Sequence, residues 1–160
     1  MRSNNMNVDQ SLTSLQAGKI ACEASGWSLT YLQLQRILYI AHMIYLGQNN
    51  QPLVRASFQA CDYGPMLPLL YQRTKIYGAK PIHNIFNDID IKFIEEESSR
   101  RKEILKAVEK LQSVSPAALI SYTHFSGGGW DKNYQIGKFI PIPQTDTIND
   151  YHQRFKERNK

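Results

Sequence analysis

The residues of this chain best suited to catalysis or metal binding are four histidines and two cysteines, and their spacing argues against both uses. His42, His83, His124 and His152 are scattered through the chain and share no metal-ligand spacing. Neither Cys22 nor Cys61 belongs to a CxxC pair, and two cysteines make no disulfide framework. His124, Ser126, Asp131 and Cys61 supply the residue types of a nucleophile and its base, but no nucleophile-elbow pattern surrounds them. Gly127-Gly128-Gly129 before Trp130 could offer backbone amides to a phosphate. No Lys-Ser/Thr follows, as a phosphate-binding loop requires, so a flexible connector is the simpler reading. Neither catalysis nor a metal or other cofactor is expected.

The remaining chemistry is that of recognition. Gln35, Tyr39 and His42 fall on neighbouring turns of one helix, either as a polar binding cluster or as buried tips satisfied by backbone. Nine tyrosines are present, and Tyr39, Tyr45, Tyr63, Tyr71 and Tyr77 gather in one stretch. An aromatic face with a polar tip suits a protein-binding groove and equally the edge of a core. Tyr63-Gly64-Pro65 is either a ligand-facing loop or the turn that positions the following helix.

Charge widens the choice of partner without deciding it. Lys plus Arg number 19 against 14 Asp plus Glu, a net charge of +5. Arg100, Arg101, Lys102, Lys106 and Lys110 alternate with Glu103 and Glu109, the pattern of a solvated helix with i,i+4 pairs. A basic face accepts nucleic acid or an acidic protein surface, and no helix-turn-helix or RNP-type motif favours the former.

These residues need a scaffold, and 160 residues suffice for one domain with a real core. A hydrophobic fraction of 42% with 21% charged residues excludes wholesale disorder. Residues 1–8 read as a polar leader without a signal-peptide core, and residues 9–158 as the domain. The most lipid-like stretch, 37–54, carries His42, Gln48, Asn49, Asn50, Gln51 and Pro52 and cannot span a bilayer. A cytoplasmic protein without membrane contact is the expectation.

Leu12 to Ala24 predicts a first helix stopped by Gly26. Thr30 with Gln33 has capping-box spacing, and Leu34, Ile37, Leu38, Ala41, Ile44 and Tyr45 extend a central helix to Gly47. Residues 53–61 partly alternate as a strand, and Pro68 opens a short helix to Gly78. Ile89, Ile91 and Phe93 alternate with Asp88, Asp90 and Lys92 as a second short strand. Glu95 to Glu97 suit the first turn of a helix whose buried face is Ile104, Leu105, Val108 and Leu111. Ser115-Pro116 starts a helix to about His124, residues 138–143 are extended, and a terminal helix runs from Thr147 to about Arg158. The expected fold is mostly α (α+β), a single compact domain of about six helices with two or three short strands.

The segment Leu34-Gln35-Arg36-Ile37-Leu38-Tyr39-Ile40-Ala41-His42 resembles the opening motif of the SocA-like antitoxin family. That family is also called the Panacea domain and is related to phage-associated protein GepA. Phe58-Gln59-Ala60, Tyr63-Gly64-Pro65-Met66-Leu67-Pro68-Leu69-Leu70-Tyr71, Thr123-His124 and Trp130 follow in the family's order, across roughly residues 12–155. Arg36 stands where a lysine is usual, Cys61 where an aromatic is common, and the glycine triplet replaces a shorter approach to Trp130. The resemblance implies a non-catalytic protein of bacteria and their prophages that neutralises a toxin encoded by a neighbouring gene. It does so by direct, chaperone-like masking or as an adaptor to a cytoplasmic AAA+ protease. Gln35, Tyr39, His42, Tyr63, Gly64, Pro65, Tyr71 and Trp130 are the expected partner-binding residues. A DNA-binding autoregulator is the alternative, with a small enzyme a distant third.

Overall fold

A computed structural model describes residues 10–155. Seven α-helices, one 3-10 turn (Lys75–Tyr77) and one small antiparallel sheet make up its regular structure among these residues. The helices are α1 (Ser14–Ala24), α2 (Tyr31–Asn49), α3 (Pro68–Thr74), α4 (Ser99–Leu111), α5 (Pro116–Thr123), α6 (Gly129–Asn133) and α7 (Gln144–Phe155). The strands are β1 (Gln59–Cys61), β2 (Gly64–Met66) and β3 (Ile140–Pro141), in the order β2-β1-β3. Mostly α with a few short strands is therefore the architecture.

The central helix α2 begins as its sequence demands. The Thr30 side chain accepts from the Gln33 amide while the Gln33 side chain accepts from the Thr30 amide, a complete capping box. Leu34, Ile37, Leu38 and Tyr39 are fully buried, and α2 packs against α1, α4, α5 and α7. Gly47 does not end it. The helix runs on to Asn49 and closes on Asn50 in the left-handed region at φ 55°. Gly47 instead lets α7 approach: a Cβ there would lie 2.2 Å from the Tyr151 ring. Helix α1 has its own capping box, Thr13 with Gln16, a signal present in the sequence and missed there.

Several expected elements are corrected. Residues 53–61 pair as a strand only from Gln59, while Val54 makes an isolated parallel bridge to Leu12. The second expected strand, 89–93, does not form. No strand lies beside it among the described residues, and its carbonyls go elsewhere: Ile89 to Lys19 Nζ, Ile91 and Ile94 to Arg101 Nη1. Glu95 to Glu97 precede α4, whose N-cap is Ser98. Leu105 is 40% exposed, and Ala107 completes the buried face with Ile104 and Val108. Helix α7 starts earlier than expected, at Gln144, and the expected end at Arg158 lies outside the described residues, as does the leader 1–8.

The basic run of α4 is only partly solvated. Arg100 is buried, donates from Nε to the Pro52 carbonyl and lies over the Tyr45 ring, while Arg101 is committed to the 91–94 loop. No helix among the described residues is long and apolar enough to cross a membrane.

Candidate functional site

Six of the eight expected site residues are buried, three of them, Gln35, Tyr39 and His42, on α2. Gln35 is fully buried and clamps the start of α3: its Oε1 accepts from the Leu67 amide at 2.7 Å and its Nε2 donates to the Leu67 carbonyl. Helix α3 has no side-chain cap of its own, so this contact from α2 fixes where it starts. His42 Nδ1 accepts from the Val54 amide, and burial lowers its pKa to about 4. A buried imidazole is held neutral because nothing replaces the water that would solvate its charge.

Tyr39 belongs to a network that joins three helices. Its hydroxyl donates to Asp150 Oδ2 at 2.8 Å, and the Gly129 amide donates to the same oxygen at 2.9 Å. Arg154 completes the set through Asp150 Oδ1, and its guanidinium lies over the rings of Tyr122 and Phe125. Burial, then the Asp150 charge, raises the Tyr39 pKa well above the ordinary phenol value. The glycine triplet is therefore no loose connector. A Cβ at Gly128 would lie 2.8 Å from Asp150 Oδ2, and one at Gly129 would lie 2.6 Å from the Tyr39 hydroxyl. Only glycine lets the chain pass this close.

Of the expected turn residues only Tyr63 faces outward. Tyr63 is 47% exposed, while Gly64 and Pro65 are buried in β2, with Gly64 at φ 109°. Trp130 donates from Nε1 to the Cys61 carbonyl at 2.8 Å and is sandwiched between His124, 3.7 Å away, and Tyr134, 4.4 Å away. It is a buried brace beneath the sheet rather than an exposed contact.

Tyr63 and Tyr71 come together, and the structure adds two rings that sequence reasoning missed. Tyr71 stacks on Tyr63 at 6.5 Å and meets Tyr31 at 6.0 Å and Phe139 at 6.2 Å. Lys75 Nζ sits 5.3 Å from the Tyr71 ring centre. Phe139 is 48% exposed. The four rings come from four places in the chain: the first turn of α2, the β1–β2 turn, α3, and the approach to β3. Tyr31 follows the Thr30 cap directly and Phe139 lies in KFIPIP, so both were visible as residues. Their convergence was not.

The Asp62 carboxylate holds this face in shape. It accepts from the Tyr134 hydroxyl and the Gly137 amide, which together pull its pKa below the ordinary value. Both cysteines are free and buried, and burial, then Glu23, pushes the Cys22 thiol up to about 12. No group of three or more potential metal ligands occurs among the described residues.

The family model described as "Antitoxin SocA-like, Panacea domain" matches residues 34–131, a span from the start of the buried face of α2 through Trp130. The chain is also similar to Antitoxin SocA of Caulobacter vibrioides, with 32% identity over 110 residues that cover 64% of this chain. The chain spans 58% of that relative's length. No solved structure matches. The match takes in the Gln35 clamp, the Tyr63-Gly64-Pro65 turn and the Trp130 brace together, and the chain belongs to the SocA-like antitoxin, Panacea domain family.

Proposed function

We propose that this protein is an antitoxin that binds a toxin encoded beside it, docking it on the ring cluster of Tyr31, Tyr63, Tyr71 and Phe139. The observation that carries the antitoxin role is the family match over residues 34–131. The argument for the surface is physical. A patch of four converging rings, two of them about half exposed, is costly to leave in water and is the usual composition of an interface hot spot. Gln35 fixes the start of α3, Trp130 braces the sheet from below, and Asp62 holds the β1–β2 turn to the 134–137 loop in the free protein. Tyr31 and Tyr71, carried on helices, are held in place before binding and lose little entropy on docking. Gln35 and Trp130 act in this reading by shaping the face, Tyr39 and His42 by holding the core behind it, and Tyr63 and Tyr71 by touching the partner.

Direct masking follows from such a face without further parts. The protein occludes the toxin's working surface, and complex persists while antitoxin is in excess. Delivery to a AAA+ protease uses the same first step and differs in what happens to the toxin afterwards.

Co-expression with the neighbouring gene tests the reading. The neighbour alone arrests growth, the pair grows, and the two proteins co-purify. Tyr71→Ala weakens the complex by about 2 kcal/mol or more if its ring is a central anchor. Leu105→Ala, on the exposed side of α4, is the control. Arg101 does not serve, because removing it frees the 91–94 loop. Toxin that accumulates in growing cells indicates masking, and toxin that disappears indicates delivery. Failure to bind the neighbour's product, with a steep salt-dependent shift of promoter DNA, replaces the antitoxin with the autoregulator.

A further inference from the structure

Beneath the ring cluster lies a buried cation with no anion. Arg36, on α2, is 6% exposed. Its Nη2 donates to the Tyr63 carbonyl at 2.7 Å, while its Nε has no partner in the chain. No carboxylate lies within ion-pair distance of it among the described residues, unlike Arg73 with Asp88 or Arg154 with Asp150. The groups whose negative forms act on its charge are Cys61 and Tyr31, both ordinarily neutral, and burial outweighs them to lower its pKa. Guanidinium stays charged even so. An interior cation without a counter-charge costs stability.

A second orphan atom sits beside the first. His124 Nε2 is buried and has no partner. Gly64 separates the two nitrogens: a Cβ built there would have Arg36 Nε and His124 Nε2 as its nearest neighbours, each at 3.6 Å. Two unpartnered nitrogens, one on α2 and one on the residue that caps the end of α5, thus converge on the space that the missing side chain leaves. Burial, then the Arg36 charge, lowers the His124 pKa, so its ring is neutral near pH 7 and has one N–H to place. Stacking on Trp130 at 3.7 Å fixes the ring plane.

We propose that Arg36 and His124 form the floor of a subsite, roofed by the tyrosine cluster, that accepts one aspartate or glutamate carboxylate of the partner protein. This rests on the reading that the cluster docks a protein. Charge complementarity selects the occupant: the cation has no internal partner, and a planar guanidinium matches a carboxylate in shape as well as sign. Because Arg36 is so deeply set, the carboxylate reaches it as the exposed 62–63 turn shifts outward and the Tyr63 carbonyl yields Nη2. The carboxylate then takes Arg36 Nε–H and selects the Nε2–H tautomer of His124. The apolar rings around the pair exclude water, where such a contact is strongest.

Arg36→Met tests this, with Arg36→Lys beside it. Removal of an uncompensated interior charge leaves the protein folded, with a melting temperature at or above that of the unaltered chain. Binding of the neighbour-encoded protein falls about tenfold or more in the Met variant, its salt dependence flattens, and the Lys variant recovers part of the loss. Sodium acetate provides a readout that needs no toxin. In proton–nitrogen correlation spectra of the unaltered protein, the Arg36 Nε–H resonance shifts saturably with acetate and not with chloride at equal ionic strength. A folded Met variant that binds the partner as tightly as the unaltered chain overturns the proposal. An Nε–H signal that responds equally to acetate and chloride also overturns it. If the neighbour's product does not bind even the unaltered protein, the antitoxin reading fails by itself, and the acetate titration still decides the subsite.

Discussion

At the scale of single residues, burial decides what the polar side chains do. Asp150 is fully buried and serves three donors at once: Tyr39, Gly129 and Arg154. Asp150→Ala leaves the Arg154 guanidinium without its anion, and the expected loss is about 3–5 kcal/mol in urea unfolding. Tyr39→Phe removes one charge-assisted bond and costs about 1.5–3 kcal/mol. His42 makes a pH prediction. Its folded-state pKa, about 4, lies below the ordinary 6.5, so the unfolded chain binds the proton first as pH falls. Stability is therefore lost between about pH 6.5 and 4, by at most about 1.4 kcal/mol per pH unit from this group. His124, also lowered, acts in the same sense, while Glu103, raised by burial, acts in the opposite one. The comparison that isolates His42 is the melting temperature against pH for the unaltered protein and His42→Gln. The variant should show the shallower fall.

At the scale of elements, a glycine that reads as a helix stop, Gly47, turns out to be a contact, and Gly18, inside α1, is another. Gly47 faces the Tyr151 ring and Gly18 faces Leu70, in each case where two helices meet. By helix propensity alone, Gly47→Ala should stabilise α2 by about 1 kcal/mol. The Tyr151 ring stands where the new Cβ must go, so the sign reverses and overpacking costs about 1–3 kcal/mol. Denaturant unfolding of Gly47→Ala reads that sign directly. A stabilised variant means that α7 does not press on α2 as closely as described.

At the scale of the whole molecule, α2 touches α1, α3, α4, α5 and α7 as well as β2, so no large part of the described chain has a core independent of it. The described residues, 10–155, are accordingly expected to unfold as one unit. The two tryptophans report on different regions, Trp27 against Phe86 and Trp130 against His124 and Tyr134. Their fluorescence and the helical circular dichroism should give coincident transitions. Leu38→Ala, at a fully buried position of α2, should move all of them together and cost about 2–5 kcal/mol. Transitions that separate mean two domains.

The local pattern of the sequence determined much of this protein. The Thr30–Gln33 box, the apolar α2, the Pro68 start, the Ser115-Pro116 start and the ordered motifs from Leu34 to Trp130 are all short-range signals. They depend on neighbours within a turn or two, which is why they could be read. What lay beyond reach was set by partners far away in the chain. Whether 89–93 becomes a strand depended on a neighbouring strand, and it met Lys19 and Arg101 instead. Whether the glycine triplet is loose depended on Asp150, and whether Tyr39 and His42 face a partner depended on Asp150 and Val54. The two orphan nitrogens of Arg36 and His124 converge only because β2 carries Gly64 between α2 and the end of α5. Residue types and helix starts are properties of local sequence, whereas burial and convergence exist only once distant segments have packed.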